Sequence, residues 1–232
     1  MPTTRVERLR KSSGTLATVL ASAALARVII HFVLHPDVAL HFQALRRVTG
    51  LSSQSLQHEL ARLEELGLID REQDGRLVRY RAARGDARWN TFRDLVARLA
   101  DPAEVLRVAL AELPGVDAAF IYGSYARGTA VHENSDVDVF VVGDELDDER
   151  VRLGLAERTL AVSGLLGREV NVTRYTYDRL AKRSTEGRRF VREVLAGDKD
   201  WLVGSEAMLP AQTTKSTRRS RGQARAPTIS SA

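Results

Sequence analysis

The spacing of apolar residues changes along the chain, and the changes predict its elements. From Thr15 to Leu34, Leu16, Val19, Leu20, Ala23, Ala24, Val28, Ile29, Phe32 and Val33 recur at three- and four-residue intervals. That pattern predicts one long helix, stopped by Pro36-Asp37. A short helix over 42–49 closes at Gly50. Ser52 or Ser53 then caps a third helix, on which Leu56, Leu60, Leu63 and Leu66 form one stripe, and Gly67 ends it. Segments 68–71 and 76–81 read as strands around the turn Asp74-Gly75. Trp89, Phe92, Leu95, Val96 and Leu99 predict a connecting helix within 85–100, and another helix covers 103–113. Strands at 117–122, 136–142 and 168–173 follow, with helices at 147–165, 176–183 and 186–196. The prediction is therefore an α/β two-domain protein: residues 15–84, a helical connector at 85–100, and a mixed sheet flanked by helices at 101–210.

At 232 residues the chain can fill two modest cores. It has no cysteine, which excludes disulfides and thiolate metal sites and predicts a reducing, cytoplasmic setting. Ser22, Arg27 and His31 interrupt the apolar run 16–34, so no membrane association is expected. The net charge of +5 is uneven: residues 1–100 carry 16 basic and 10 acidic side chains, and residues 101–210 carry 14 and 20. The last 22 residues carry five basic and no acidic side chains, with few large apolar ones. They are expected to be a disordered basic tail, residues 211–232, that attracts DNA weakly or has no role. A basic front suggests nucleic acid as a partner of that part.

The densest chemistry lies at Gly123-Ser124-Tyr125-Ala126-Arg127-Gly128 and Ser135-Asp136-Val137-Asp138. Asp136 and Asp138 alternate with valines, so on a strand both carboxylates leave one face, roughly 6–7 Å apart. Two like charges so placed favour a divalent cation between them. Glycines and backbone amides around Ser124 suit phosphate. A solvated strand edge and an ordinary turn are the alternative reading. The whole segment resembles the signature of the nucleotidyltransferase superfamily related to DNA polymerase beta, in its small stand-alone form. That resemblance implies Gly123 and Ser124 on a triphosphate, with Arg127 either on a phosphate or simply at the surface. It further implies Asp136 and Asp138 on magnesium, with a nucleoside triphosphate as ligand. It also implies a third carboxylate from a later strand. Here that position carries Asn171, a neutral amide that is neither a good magnesium ligand nor a base. Glu169, on the same face, is the possible substitute.

Helices at 15–34, 42–49 and 53–66 with the hairpin form a winged helix-turn-helix pattern. Segments 42–52 and 60–69 resemble winged bacterial regulators of the arsenic-repressor-like type. On the third helix Ser53, Gln54, Ser55, Gln57, His58 and Arg62 point away from the leucine stripe, with donors sized for base edges and phosphates of double-stranded DNA. Arg76, Arg79 and Arg81 on the hairpin would reach the adjacent backbone or the minor groove. A protein-binding module with solvated polar residues is the other reading.

Three functions remain open on the sequence. One is a DNA-binding regulator whose second domain binds a nucleotide, with catalysis weakened at Asn171. Another is an active nucleotidyltransferase that modifies a protein, a small molecule or a nucleic-acid end. The third is an antitoxin-like scaffold with a degenerate site. A homodimer formed through helix 15–34 and the stripe 89–99 is expected, and a small helical partner protein is a further candidate.

Overall fold

The computed structural model describes residues 15–111, 113–129, 135–186 and 188–209. The expected basic tail at 211–232 lies outside them. The first apolar stretch is two helices, α1 (Thr15–Val19) and α2 (Ala23–Leu34), rather than one. Between them Ala21 takes φ +52°, a conformation costly for a residue with a Cβ. Ser22 then caps α2, its hydroxyl accepting from the Leu25 amide while donating to the buried Glu59 carboxylate at 2.8 Å. The periodicity hides this break because apolar residues flank it on both sides.

The strand β1 (Leu40–His41) precedes α3 (Phe42–Thr49) and α4 (Ser53–Glu65), and the hairpin β2 (Ile69–Asp74) and β3 (Leu77–Ala82) follows. β3 lies between β1 and β2 in a three-stranded antiparallel sheet. Ser52 caps α4, and Leu56, Leu60 and Leu63 are buried beneath it. Leu66, expected in that stripe, is 47% exposed, because it sits at the C-cap where the chain turns away through Gly67.

α5 (Ala87–Leu99) and α6 (Pro102–Leu110) come next. Asp101 and Glu104 form a capping box at the start of α6. The Glu104 carboxylate also accepts the amides of Leu16 and Ala17 at 3.0 and 2.9 Å, in the first turn of α1. One buried acid thus serves the free N-terminal amides of two helices far apart in sequence. The surfaces expected to form a subunit interface are spent inside the chain. Leu25, Val28, Ile29, Ile30 and Phe32 of α2 are buried, as are Trp89 and Val96 of α5. Only isolated members such as Leu95 face out.

In the second half β4 (Ala118–Tyr122) leads through the one-turn helix α7 (Gly123–Ala126) towards β5 (Val137–Val142). Then come α8 (Glu149–Leu166), β6 (Val170–Tyr175), α9 (Tyr177–Thr185), α10 (Arg189–Ala196) and β7 (Asp200–Val203). The strand order is β6-β5-β4-β7, with β5 and β6 parallel and the other pairs antiparallel, a mixed sheet as expected. One face carries Ala119, Ile121, Val137, Val139 and Val141 and shares a continuous apolar core with α6, α8 and α2. The other carries Ala118, Phe120, Phe140 and Val142 against Leu180, Val191, Val194 and Leu195 of α9 and α10. Among the described residues no helix is long and apolar enough to cross a membrane.

His31 of α2 and His35, which caps its end, stand 5.1 Å apart, ring to ring, and face Arg158 of α8. Arg158 donates to the Ala109 carbonyl at the end of α6. Burial, and then His35 and Arg158, lower the His31 pKa to about 4, and its Nε2 has no hydrogen-bond partner among the described residues. His35 is lowered as well, by burial and then Arg158. The unfolded chain therefore binds more protons than the folded one below about pH 6.5, and stability falls as pH drops through that value. His31 alone accounts for a loss on the order of 1–2 kcal/mol between pH 7 and pH 5. Replacing His31 with Leu should raise stability at pH 7, by removing an unpaired buried nitrogen, and flatten the acid loss. Denaturant unfolding at both pH values measures this, and an undiminished loss in the variant contradicts it.

Candidate nucleotide site

The registers of three strands build the site. Tyr122 of β4 pairs with Asp138 of β5, and Asp138 pairs with Asn171 of β6, so the three lie in one row across the sheet. Alternation turns Val137, Val139 and Val141 into the core at 0% exposure, and Asp138 to the face of Phe140. Asp136 is exposed and precedes β5 by one residue, not within the strand as expected. Burial, followed by the neighbouring Asp136 charge, raises the pKa of Asp138, and a hydrogen bond from the Asn171 side chain acts against that rise.

The glycine-serine turn is folded onto this carboxylate. Gly123 has φ +78°, and a Cβ there would stand 3.0 Å from Asp138 Oδ2. The two halves of the motif, 12 residues apart from Ser124 to Asp136, thus meet through a glycine that leaves the carboxylate uncovered. The loop closes on itself: the amides of Arg127, Gly128 and Thr129 donate to the carbonyls of Gly123, Tyr125 and Ser124. Arg127 caps α7 with its side chain in solvent. Tyr125 points inward and donates to Asp101; burial is the main cause of its strongly raised pKa, with the Asp101 charge second. That bond pins the loop to the start of α6.

Glu169 is exposed and immediately precedes β6, and its carbonyl accepts the Val137 amide at 2.8 Å. Among the described residues no group of three or more His, Asp or Glu is arranged to hold a metal ion. Asp136 and Asp138 are the pair available for one, and a carboxylate whose charge is already disfavoured by burial and a like neighbour suits a cation.

Sequence reasoning missed Tyr122, which pairs with Asp138, and Thr173, which pairs with Phe140 two residues further on. The Tyr122 hydroxyl lies 3.2 Å from Thr173 Oγ1, and the pKa of Tyr122 is raised by burial first, with Asp138 also contributing. Both were open to the rule that found Asn171: Thr173 follows it by two on the same strand, and Tyr122 is the last residue before the glycine.

The residues proposed for DNA lie elsewhere. Gln54, Ser55, Gln57 and His58 line one shallow depression on α4, with Ser53 and Arg62 exposed beside it. Arg46 and Arg47, not singled out from sequence, line a second one with His41 and Gln43. The hairpin is less basic than its arginines suggest. Arg79 pairs with Asp74 at 2.7 Å, and Arg81 with Glu72 at 2.6 Å and Asp70 at 3.5 Å. Arg62 stands 4.0 Å from Glu59. Arg76, near the tip, is exposed.

Gly123→Ala tests the contact between the motif halves. The added Cβ meets a carboxylate and a left-handed backbone, at a cost of about 1–2 kcal/mol from the backbone alone. Unfolding stability should fall by at least that much. An unchanged stability would mean that Gly123 holds neither the left-handed backbone nor the close approach to Asp138.

Residues 104–193 match the family model described as a nucleotidyltransferase domain. No curated protein and no solved structure matches the chain. The match contains Gly123, Ser124, Asp136, Asp138 and Asn171, so this part of the chain carries a nucleotidyltransferase domain.

Proposed function

We propose that this domain binds a magnesium nucleoside triphosphate at the corner between Gly123 and Asp138, in a DNA-binding regulator whose residues 15–84 form a winged helix-turn-helix. The observation that carries the nucleotide reading is the uncovered Asp138 carboxylate against the Gly123 turn. Asp136 and Asp138 would hold magnesium, which when bound neutralises phosphate oxygens. Gly123 and Ser124 would offer backbone amides to the phosphates, and Tyr125 would keep their loop in place through Asp101.

Nucleotidyl transfer needs an acceptor hydroxyl to lose its proton as its oxygen bonds to the α-phosphorus and pyrophosphate departs. Asn171, beside Asp138, takes no proton and donates a hydrogen bond to that carboxylate instead. Binding with slow or no turnover follows, and a sensor is the reading this favours. An active enzyme is the second reading, favoured by the exposed Glu169 next to the start of β5, which would have to accept that proton.

Calorimetry with ATP, GTP, CTP and UTP in magnesium, beside a pyrophosphate-release assay, separates the two. Binding that Asp138→Asn abolishes, without pyrophosphate release, is expected. Asn171→Asp should start or raise release. Fast release by the unaltered protein, lost in Glu169→Gln, would establish the enzyme, and binding of no triphosphate would exclude both.

The DNA reading rests on the solvent-facing polar side of α4 and on Arg76. Replacing Arg62 and Arg76 together with Ala should weaken duplex binding and reduce the slope of log K against log salt by up to about 2. Fluorescence anisotropy across a salt series gives that slope. If affinity and slope stay unchanged, this face does not meet DNA.

A further inference from the structure

Phe190, the second residue of α10, is a large aromatic left 45% exposed. Its helix neighbours Val191, Val194 and Leu195 are buried under the sheet, so Phe190 stands at the rim of that packed face. There it meets Tyr122 edge to face, with ring centroids 5.9 Å apart and planes at 76°. Tyr122 is the strand partner of Asp138 and the residue before Gly123. An edge-to-face contact fixes the orientation of a ring and leaves a face of the exposed one open. Tyr122 is itself held from the other side by Phe140, at 6.1 Å, and by its hydroxyl against Thr173. The result is a braced, half-exposed aromatic ring in contact with Tyr122, the strand partner of Asp138.

Resting on the nucleotide reading above, we infer that Phe190 is the stacking surface for the nucleobase, with Tyr122 as its support. Phosphates at Gly123 and Ser124 would leave the ribose and base to extend along the sheet end, and the aromatic pair borders that end. The ring offers no donor or acceptor to a base edge. The platform would therefore take purines better than pyrimidines by stacking area, without reading individual base edges. Simple coverage of Tyr122 is the competing account of Phe190, and it predicts no difference between ligands with and without a base.

Calorimetry of the full chain in magnesium, with ATP and with inorganic tripolyphosphate, decides between them. In Phe190→Ala, ATP affinity should fall about tenfold, equivalent to about 1.4 kcal/mol, while tripolyphosphate affinity stays as in the unaltered protein. Phe190→Trp should restore ATP affinity, and its fluorescence should be quenched by ATP but not by tripolyphosphate. Equal affinities for ATP and tripolyphosphate in the unaltered protein, untouched in Phe190→Ala, would overturn the stacking assignment and leave the phosphate site standing. Binding of neither ligand would overturn the nucleotide reading and this inference with it. A parallel loss of both ligands in Phe190→Ala, unrescued by Trp, would assign Phe190 to packing alone.

Discussion

The pairing of β5 between β4 and β6 is the constraint on which the site depends. A central strand can bring a carboxylate to the border of an apolar face only at its end, where water still reaches it. Asp138 lies at that point, one position before Phe140 on its face, with Tyr122 on one flank and Asn171 on the other. A register slip of one residue would turn Asp138 into the core with the valines and bring Val137 or Val139 to the site. The fully buried alternation of Val137, Val139 and Val141 prevents that slip, so the apolar face of the strand fixes the chemistry of the polar one.

Around that row the polar groups balance one another. Burial first, and then the Asp136 charge, make a charge on Asp138 less favourable, and the hydrogen bond from the Asn171 amide works the other way. An aspartate at position 171 would place a third negative charge beside two others, tolerable only with strong cation binding. With an amide there, the metal-free site can persist with a single hydrogen bond. The first half is bound to this domain through apolar packing of α2 on α6 and α8 and through Glu104, whose two oxygens hold the start of α1. A change at the loop of Ser124 has a physical line toward α1, since Tyr125 bonds Asp101 and the Asp101 amide bonds Glu104.

Much of this was legible in the sequence where the period of apolar residues is clean. The valine alternation around Asp138 and the glycine stops at Gly50 and Gly67 mark elements whose local preferences agree with their packing. What was not legible depends on distant partners. The break at Ala21 is set by Ser22 reaching Glu59, and β1 is two residues long and exists only because Leu40 pairs with Tyr80. β7 carries no alternation and forms against β4 with a shift in register. The stripe at Trp89 was visible, but whether it faced a second subunit or its own chain depends on how the helices stack. Of the site, the carboxylates and the glycine turn were readable from spacing. Tyr122 and Thr173 could have been reached by the same alternation that found Asn171, but Phe190 could not, because nothing in its local sequence separates a residue at the sheet rim from an ordinary packed one. Arg79 and Arg81, expected to reach DNA, are paired with carboxylates of the facing strand.

The most direct test of the central claim is anomalous diffraction from crystals of the full chain grown with manganese and a non-hydrolysable nucleoside triphosphate. The account predicts a manganese peak between the carboxylates of Asp136 and Asp138, with phosphate oxygens at the backbone of Gly123 and Ser124. A triphosphate bound elsewhere, or manganese absent from that pair while the triphosphate occupies the turn, would contradict it.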